Sequence, residues 1–249
     1  MTRQIGILRC DTVLPQYKDR FGNFASMFRT LIEAQYASHG AIAVRVYNVE
    51  KGHYPSHLDE CDAYIITGSR ASVYDALEWI QVLRNFIIQL HEDRKPTAGI
   101  CFGHQMIADA LGGKTLRSDN GWGVGVHTAK VQHKPEWMQP QLDSFNLIVS
   151  HQDQVHELPH NAKLIAGSDF CPHASFMIDD HMITFQGHPE FTKHYSQTML
   201  NYRRDKFGEN VYLNAQDSYD LPTHEHEVMQ WILTFLFRQL PSPDPVQSD

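Results

Sequence analysis

Gly99-Ile100-Cys101-Phe102-Gly103-His104-Gln105 sets a cysteine between a short β-rich run, Thr97–Ile100, and a segment of helical spacing. A residue at such a junction sits in a tight turn, a nucleophile elbow, that lifts its side chain above the sheet edge. Glycine on either side fits this turn, because a Cβ there would collide with neighbouring strand or helix atoms. The helix that follows offers unpaired N–H groups and positive potential, which favour a thiolate and can hold an oxyanion. With ordinary residue frequencies, G-x-C-x-G-x-Q arises in a chain of this length on the order of once per thousand sequences. Cys101 is therefore read as a nucleophile. Cys10, Cys61 and Cys171 are read as buried, inert thiols.

Outward from the elbow, short β-rich runs alternate with helical patterns, which predicts a parallel sheet covered on both faces. Strands are expected at Gln4–Cys10, Ile42–Val49 and Ala63–Thr67, with helices over Phe21–His39 and about Asp75–His91. From Lys114 to Ile183 the pattern changes to short strands separated by turns: Val124–Val131, Phe145–Val149, Lys163–Ala166, Ser175–Ile178 and Met182–Phe185. A helix then runs from beyond Pro189 to about Phe207, and a last one over Glu225–Leu240. One domain over residues 1–240 is the economical expectation. The tail Pro241–Asp249, with three prolines, is expected to be disordered.

The general base is expected from Gln186-Gly187-His188-Pro189-Glu190. The strand Met182–Phe185 delivers His188 at its end, and a two-residue spacing can bring Glu190 to the same side. A carboxylate beside an imidazole holds its tautomer and stabilises the imidazolium formed on proton transfer. The tripeptide H-P-E is weak alone; paired with the elbow it predicts a Cys101-His188-Glu190 hydrolytic site.

Composition limits the partners. The 249 residues are 42% hydrophobic and 20% charged, near the norm for globular proteins. A net charge of −8 without a basic stripe argues against nucleic acid or an anionic membrane surface. No stretch approaches the roughly twenty apolar residues of a membrane span. The four cysteines form no C-x-x-C pair, so neither a disulfide framework nor a zinc site is expected. A reducing cytoplasm fits this usage. The sixteen histidines are scattered, and only those within a motif are credited.

The two motifs, G-I-C-F-G-H-Q and G-H-P-E, resemble the signatures of class I (triad-type) glutamine amidotransferases, in particular the glutaminase domain of GMP synthetase and its relatives. The resemblance runs from Ile5 to the helix near Trp231. It implies a flavodoxin-like open, mostly parallel α/β sheet with helices on both faces, here with a small antiparallel β excursion. It also implies attack on the side-chain amide of glutamine, a γ-glutamyl thioester, and release of ammonia and glutamate, with no metal or organic cofactor. By position, the amides of Gly68 and Phe102 would form the oxyanion hole, and Gln105 would contact the bound glutamine. Ser150-His151-Gln152-Asp153 resembles the family's S-H-x-D loop, so Ser150, His151 and Asp153 would grip the α-amino and α-carboxylate groups.

The chain departs from the family pattern in two places. Thr67-Gly68-Ser69 replaces G-G-P, keeping the backbone donor while Ser69 and Arg70 can reshape the pocket mouth. Similar G-S variants occur in free-standing members that resemble plant γ-glutamyl peptidases. No G-x-x-x-x-G-K-[ST] loop is present in this sequence and no attached synthetase domain is expected, so a separate synthetase partner is expected for any ammonia used in synthesis. Three activities follow as alternatives: a stand-alone glutamine hydrolase, a γ-glutamyl hydrolase or peptidase acting on larger amides, and a non-catalytic or partner-activated subunit.

Overall fold

The computed structural model describes residues 2–238. In chain order the elements are β1 (Arg3–Arg9), α1 (Lys18–Phe21), α2 (Phe24–Glu33), α3 (Tyr36–His39), β2 (Ile42–Asn48), β3 (Ala63–Ile66), α4 (Glu78–Glu92), β4 (Thr97–Ile100) and α5 (Phe102–Ala110). There follow β5 (Lys114–Arg117), β6 (Gly123–Val131), β7 (Ser144–His151), β8 (Asp153–Glu157), β9 (Ala162–Gly167), β10 (Ser175–Ile178) and β11 (Met182–Phe185). The described chain closes with α6 (Lys193–Tyr202), α7 (Arg204–Phe207), α8 (Glu209–Ser218) and α9 (Glu225–Phe237).

Nine strands form one sheet in the order β2-β1-β3-β4-β11-β10-β9-β6-β7. The run from β2 to β11 is parallel. Its strands read as near-continuous apolar runs because both faces are covered, and period-2 alternation sends successive residues to opposite cores. Ile5, Ile7, Ile65, Ile100, Ile183 and Phe185 meet Phe28, Leu31 and Ile32 of α2 and Trp231, Ile232 and Phe235 of α9. On the other face Leu8, Tyr64, Ile66 and Met182 meet Leu83, Ile87 and Leu90 of α4 and Phe102 and Met106 of α5. The expected α/β fold with an open, mostly parallel sheet is observed.

The antiparallel part is more than an excursion. β10, β9, β6 and β7 continue the same sheet antiparallel to one another, and β5 pairs with β8 in a separate two-stranded sheet. A third core forms there, where Val124, Val126 and Ile148 pack on Leu200, Phe207, Tyr212 and Ala215.

Several boundaries differ from the sequence expectation for local reasons. The helix expected over Phe21–His39 is three pieces. Gly22 takes φ +69°, and Asn23 restarts the helix with a reciprocal capping box to Ser26. The helix after Pro189 begins at Lys193, capped by the Thr192 side chain, and ends at Tyr202 before the short α7. Helix α8 has no counterpart in the expectation, since only Tyr212 and Ala215 of its ten residues are buried and its apolar periodicity is faint. Ser150–Asp153, expected as a loop from its resemblance to the S-H-x-D segment, spans the end of β7 and the start of β8. The tail expected at residues 241–249 lies outside the described residues. Among the described residues no helix is long and apolar enough to cross a membrane.

Helix α5 lies unusually close to the sheet. A Cβ on Gly103 would overlap the carbonyl oxygen of Ile66 and lie 2.8 Å from its Cβ. Alanine is the better helix former by about 1 kcal/mol, but overpacking against fixed backbone costs about 1–3 kcal/mol or more. Gly103→Ala is therefore expected to lower the denaturant midpoint in equilibrium unfolding. An unchanged or raised midpoint would show that α5 can lift off the sheet at no cost.

Candidate active site

Cys101 stands alone between β4 and α5, with φ +53° and ψ −103°. A non-glycine residue rarely adopts positive φ, at a cost of about 1–3 kcal/mol that its surroundings must impose. The surroundings are visible. The Cys101 N–H donates to the Phe185 carbonyl at 2.8 Å, and the Gln105 N–H donates to the Cys101 carbonyl at 3.0 Å. Cβ atoms are excluded on both sides: one on Gly99 would meet the Gly103 carbonyl oxygen at 2.7 Å. The glycines flanking the elbow thus answer to close backbone approach, as expected from sequence. Phe102, the first residue of α5, has no carbonyl within its own helix to accept its N–H.

His188 reaches the same spot from the end of β11. Its N–H donates to the Ile148 carbonyl at 2.7 Å, tying the segment to β7. Its Nδ1 pairs with Glu190 Oε1 at 2.8 Å, and its ring stacks on Phe191 with centroids 3.9 Å apart and planes 4° from parallel. His188 and Glu190 are both buried. Burial pulls the His188 pKa down, but the charges of Glu190 and Cys101 outweigh it, and the imidazole is pushed up to about 10. Gly68 sits against both partners: a Cβ there would lie 2.8 Å from His188 Cε1 and 3.6 Å from the Cys101 Cβ. The structure therefore brings Cys101, His188, Glu190, Gly68 and Phe102 together.

Cys101 opens into a cleft of two lobes. One, of about 750 Å³ with its mouth, is walled by Leu14, Phe24, Phe191, Tyr195, Met199 and Leu200 and also touches His188. The other, of about 490 Å³, is polar, lined by Ser72, Gln105, His151, Gln152 and Asp153. Ser69, Arg70, Cys101, Ser150 and Arg203 border both.

The residues expected to bind substrate line this cleft but are partly occupied. The Gln105 carboxamide nitrogen donates to the Asp153 carbonyl at 2.8 Å and to Gln186 Oε1 at 3.0 Å, which uses both its hydrogens and leaves its oxygen. His151 Nδ1 donates to the Asp153 carbonyl at 3.0 Å. Burial drives the His151 pKa down to about 3, so this ring is neutral near pH 7. The Asp153 carboxylate accepts from Tyr74 at 2.8 Å and Ser72 at 2.5 Å. Ser69 Oγ accepts from the Ala71 N–H at 3.2 Å.

Arg70, expected at the pocket mouth, closes a fork on Asp11 through Nε at 2.7 Å and Nη2 at 2.6 Å. Its partner and three further site residues were not expected from sequence. Phe191, whose position directly after H-P-E was the available signal, supports the imidazole. Tyr195 and Arg203 reach the cleft from α6 and its end, where nothing local marks them. Among the described residues no group of three or more His, Cys, Asp or Glu side chains could hold a metal ion.

Residues 22–204 match the family model described as glutamine amidotransferase class-I. A Saccharomyces cerevisiae protein provisionally named a glutamine amidotransferase is 34% identical over 203 residues, covering 77% of this chain and 80% of its own. γ-Glutamyl peptidase 3 of Arabidopsis thaliana is 34% identical over 156 residues, covering 59% of this chain and 63% of the peptidase. The match thus spans less than two thirds of the peptidase's length. Among solved structures, a glutamine amidotransferase of Thermotoga maritima superposes with a TM-score of 0.73 at 17% identity, covering 95% of this chain and 96% of that one. At that identity the likeness concerns the fold.

The His188–Glu190 pair carries a pH signature. With Glu190→Gln, burial is no longer opposed by the carboxylate, and the His188 pKa is expected to fall by at least about one unit. Histidine ring NMR titration reads this directly. Because the folded pKa of His188 is raised above its ordinary 6.5 to about 10, its stabilising contribution is full below about pH 6.5 and is lost as pH rises towards 10. Unfolding midpoints of the unmodified protein should therefore fall across that window more than those of Glu190→Gln. Identical profiles would show that Glu190 does not hold the imidazolium.

Proposed function

The chain belongs to the class I glutamine amidotransferase family, and within it we propose that the chain hydrolyses the γ-amide bond of γ-glutamyl compounds through a thioester on Cys101. What carries this reading is the meeting of Cys101, at positive φ above the sheet, with a buried imidazole held by Glu190 at 2.8 Å. Free glutamine is the smallest such substrate and yields glutamate and ammonia. Ammonia bound for synthesis would pass to a separate synthetase chain.

In this mechanism the Cys101 proton rests on His188, whose raised pKa keeps it an imidazolium near pH 7, and the thiolate attacks the δ-carbonyl carbon. The Gly68 and Phe102 amides receive the oxyanion, each such donor being worth about 3–4 kcal/mol in the transition state of other hydrolases. His188 then protonates the leaving nitrogen as the C–N bond breaks. Water, activated by the same imidazole, attacks the thioester and releases the γ-glutamyl carboxylate with regeneration of the thiol.

A second reading, that a larger amine leaves, is favoured by the division of the cleft. The group that protonates the leaving nitrogen must face it, and His188 borders the apolar lobe. The leaving group accordingly departs through that lobe, and the γ-glutamyl group occupies the polar one with Gln105, Ser150 and Asp153. Ammonia makes no use of walls such as Leu14, Phe24 and Met199, whereas an apolar amine buries against them at about 25 cal/mol per Å². Relatives named γ-glutamyl peptidases point the same way.

Pure protein should release glutamate from glutamine and, at higher kcat/KM, from γ-glutamyl p-nitroanilide. Cys101→Ala should abolish both by more than about 10³-fold. Turnover of glutamine alone would leave the first reading and remove the second. An unaffected Cys101→Ala enzyme would sink the thioester route.

A further inference from the structure

Arg203 is the one guanidinium on the cleft wall whose charge goes unanswered among the described residues. It follows α6 directly, half-buried between the rings of Trp122, 5.3 Å from its centre, and Phe207, 5.2 Å from its centre. Its guanidinium makes no hydrogen bond or ion pair to a described residue. The acid within electrostatic reach, Asp11, is already gripped by the Arg70 fork. Burial and the like charge of Arg70 push the Arg203 pKa below its usual value. Withdrawing an unpaired cation from water beside a second cation is costly, and the two rings recover only part of that cost. Such an arrangement is poised for an anion.

The side of the cleft follows from its neighbours. Of the groups around Arg203, Arg70 borders both lobes and Trp122 and Lys206 line the polar one, while Asp11, Tyr195 and Phe207 line the apolar lobe alone. That lobe takes the leaving amine in the reading given above, on which this inference rests. We infer that Arg203 anchors a carboxylate carried by the leaving group, so that the preferred substrates are γ-glutamyl amino acids or peptides with an apolar residue after the γ-linkage, rather than glutamine or neutral γ-glutamyl amides. The apolar side chain of that residue packs on Phe24, Met199 and Leu200, and its carboxylate closes a charge-assisted bond with the planar guanidinium. Lys206, whose ammonium lies 4.9 Å from the centre of the Trp122 ring, adds positive potential at the same rim. Arg203 is a specificity residue in this account and takes no part in bond making.

Binding by protein carrying Cys101→Ala tests this without turnover, by calorimetry with three ligands. These are γ-glutamylphenylalanine, its C-terminal carboxamide, and 4-aminobutanoylphenylalanine, which lacks the α-carboxylate but keeps the terminal one. With Arg203 intact the carboxylate of γ-glutamylphenylalanine should strengthen binding about 10–100-fold over the carboxamide. Arg203→Met, which keeps the packing stem, should erase that difference, and Arg203→Lys should restore part of it. 4-Aminobutanoylphenylalanine should lose affinity with Arg203→Met by the same factor as γ-glutamylphenylalanine. Equal weakening of γ-glutamylphenylalanine and its carboxamide, with 4-aminobutanoylphenylalanine spared, would assign Arg203 to the γ-glutamyl group's own carboxylate and overturn the inference. No change with any ligand, or equal weakening of all three, would overturn it too. If Arg203→Met fails to fold, the carboxylate-over-carboxamide preference with Arg203 intact decides: its absence overturns the inference. Failure of the intact enzyme to cleave any γ-glutamyl amide would instead sink the proposed reaction, and the binding comparison would stand apart from it.

Discussion

The close seating of helix α5 on the sheet is the constraint on which the rest of the site depends. With glycine at 99 and 103, backbone meets backbone where side chains would normally keep a helix farther from the strands. The chain must then turn from β4 into α5 within one residue, and Cys101 absorbs the turn at positive φ. Its thiol is thereby lifted out of the sheet at the end where β11 delivers His188. Gly68 completes the fit from β3, since any side chain there would collide with the imidazole. Three strands that are neighbours in the sheet, β3, β4 and β11, thus each contribute one component at their carboxyl ends. Ligands of open α/β sheets gather at that edge for the same reason.

What could be foreseen from sequence divides along the range of the interactions. The parallel half was legible because strands buried on both faces are apolar throughout, and because α4 carries a strong apolar stripe and α9 is apolar over most of its length. Helix α8 was not, since a helix with two buried residues leaves almost no periodic trace. The break at Gly22 depended on a cap formed only once Asn23 and Ser26 face each other. In the cleft, the residues foreseen lie within short motifs, where spacing along the chain is nearly spacing in the fold. What was missed is the bonds across long separations: Arg70 to Asp11 over 59 residues, and Tyr74 to Asp153 over 79. Neither partner carries a local sign of the other. Gln105 was placed in the cleft from its position in the motif, but its donation to Asp153 and Gln186 appears only when β8 and the end of β11 are folded beside it.

Several polar groups around the thiol are held within the protein, although His151 Nε2, Gln186 Nε2 and Glu190 Oε2 are buried without a hydrogen-bond partner among the described residues. His151 is kept neutral by burial and serves the Asp153 backbone, while Gln105 bonds the same carbonyl. These bonds hold the β7–β8 turn rigid beneath the polar lobe, and the Asp153 carboxylate is held in turn by two hydroxyls from the opposite wall. A preorganised wall costs less ordering when a ligand arrives. Against this background the unanswered charge of Arg203 stands out, because the other guanidinium of the cleft, Arg70, is paired with Asp11.

The segment Ser69–Tyr74 ties the two lobes to each other. Arg70 grips Asp11 on the apolar side, and four residues later Tyr74 and, before it, Ser72 hold Asp153 on the polar side. Between them the chain begins at Gly68, which touches both Cys101 and His188. A change at Arg70 or Tyr74 can therefore alter the shape of one lobe while the elbow, anchored by Phe185 and by the close approach at Gly99 and Gly103, stays where it is. Selectivity and chemistry are carried by different fastenings: the thiol by the sheet and helix, the pocket walls by a short segment pinned at its two ends. On the proposed reading, that separation lets the pocket be reshaped for amides of different size without moving the cysteine.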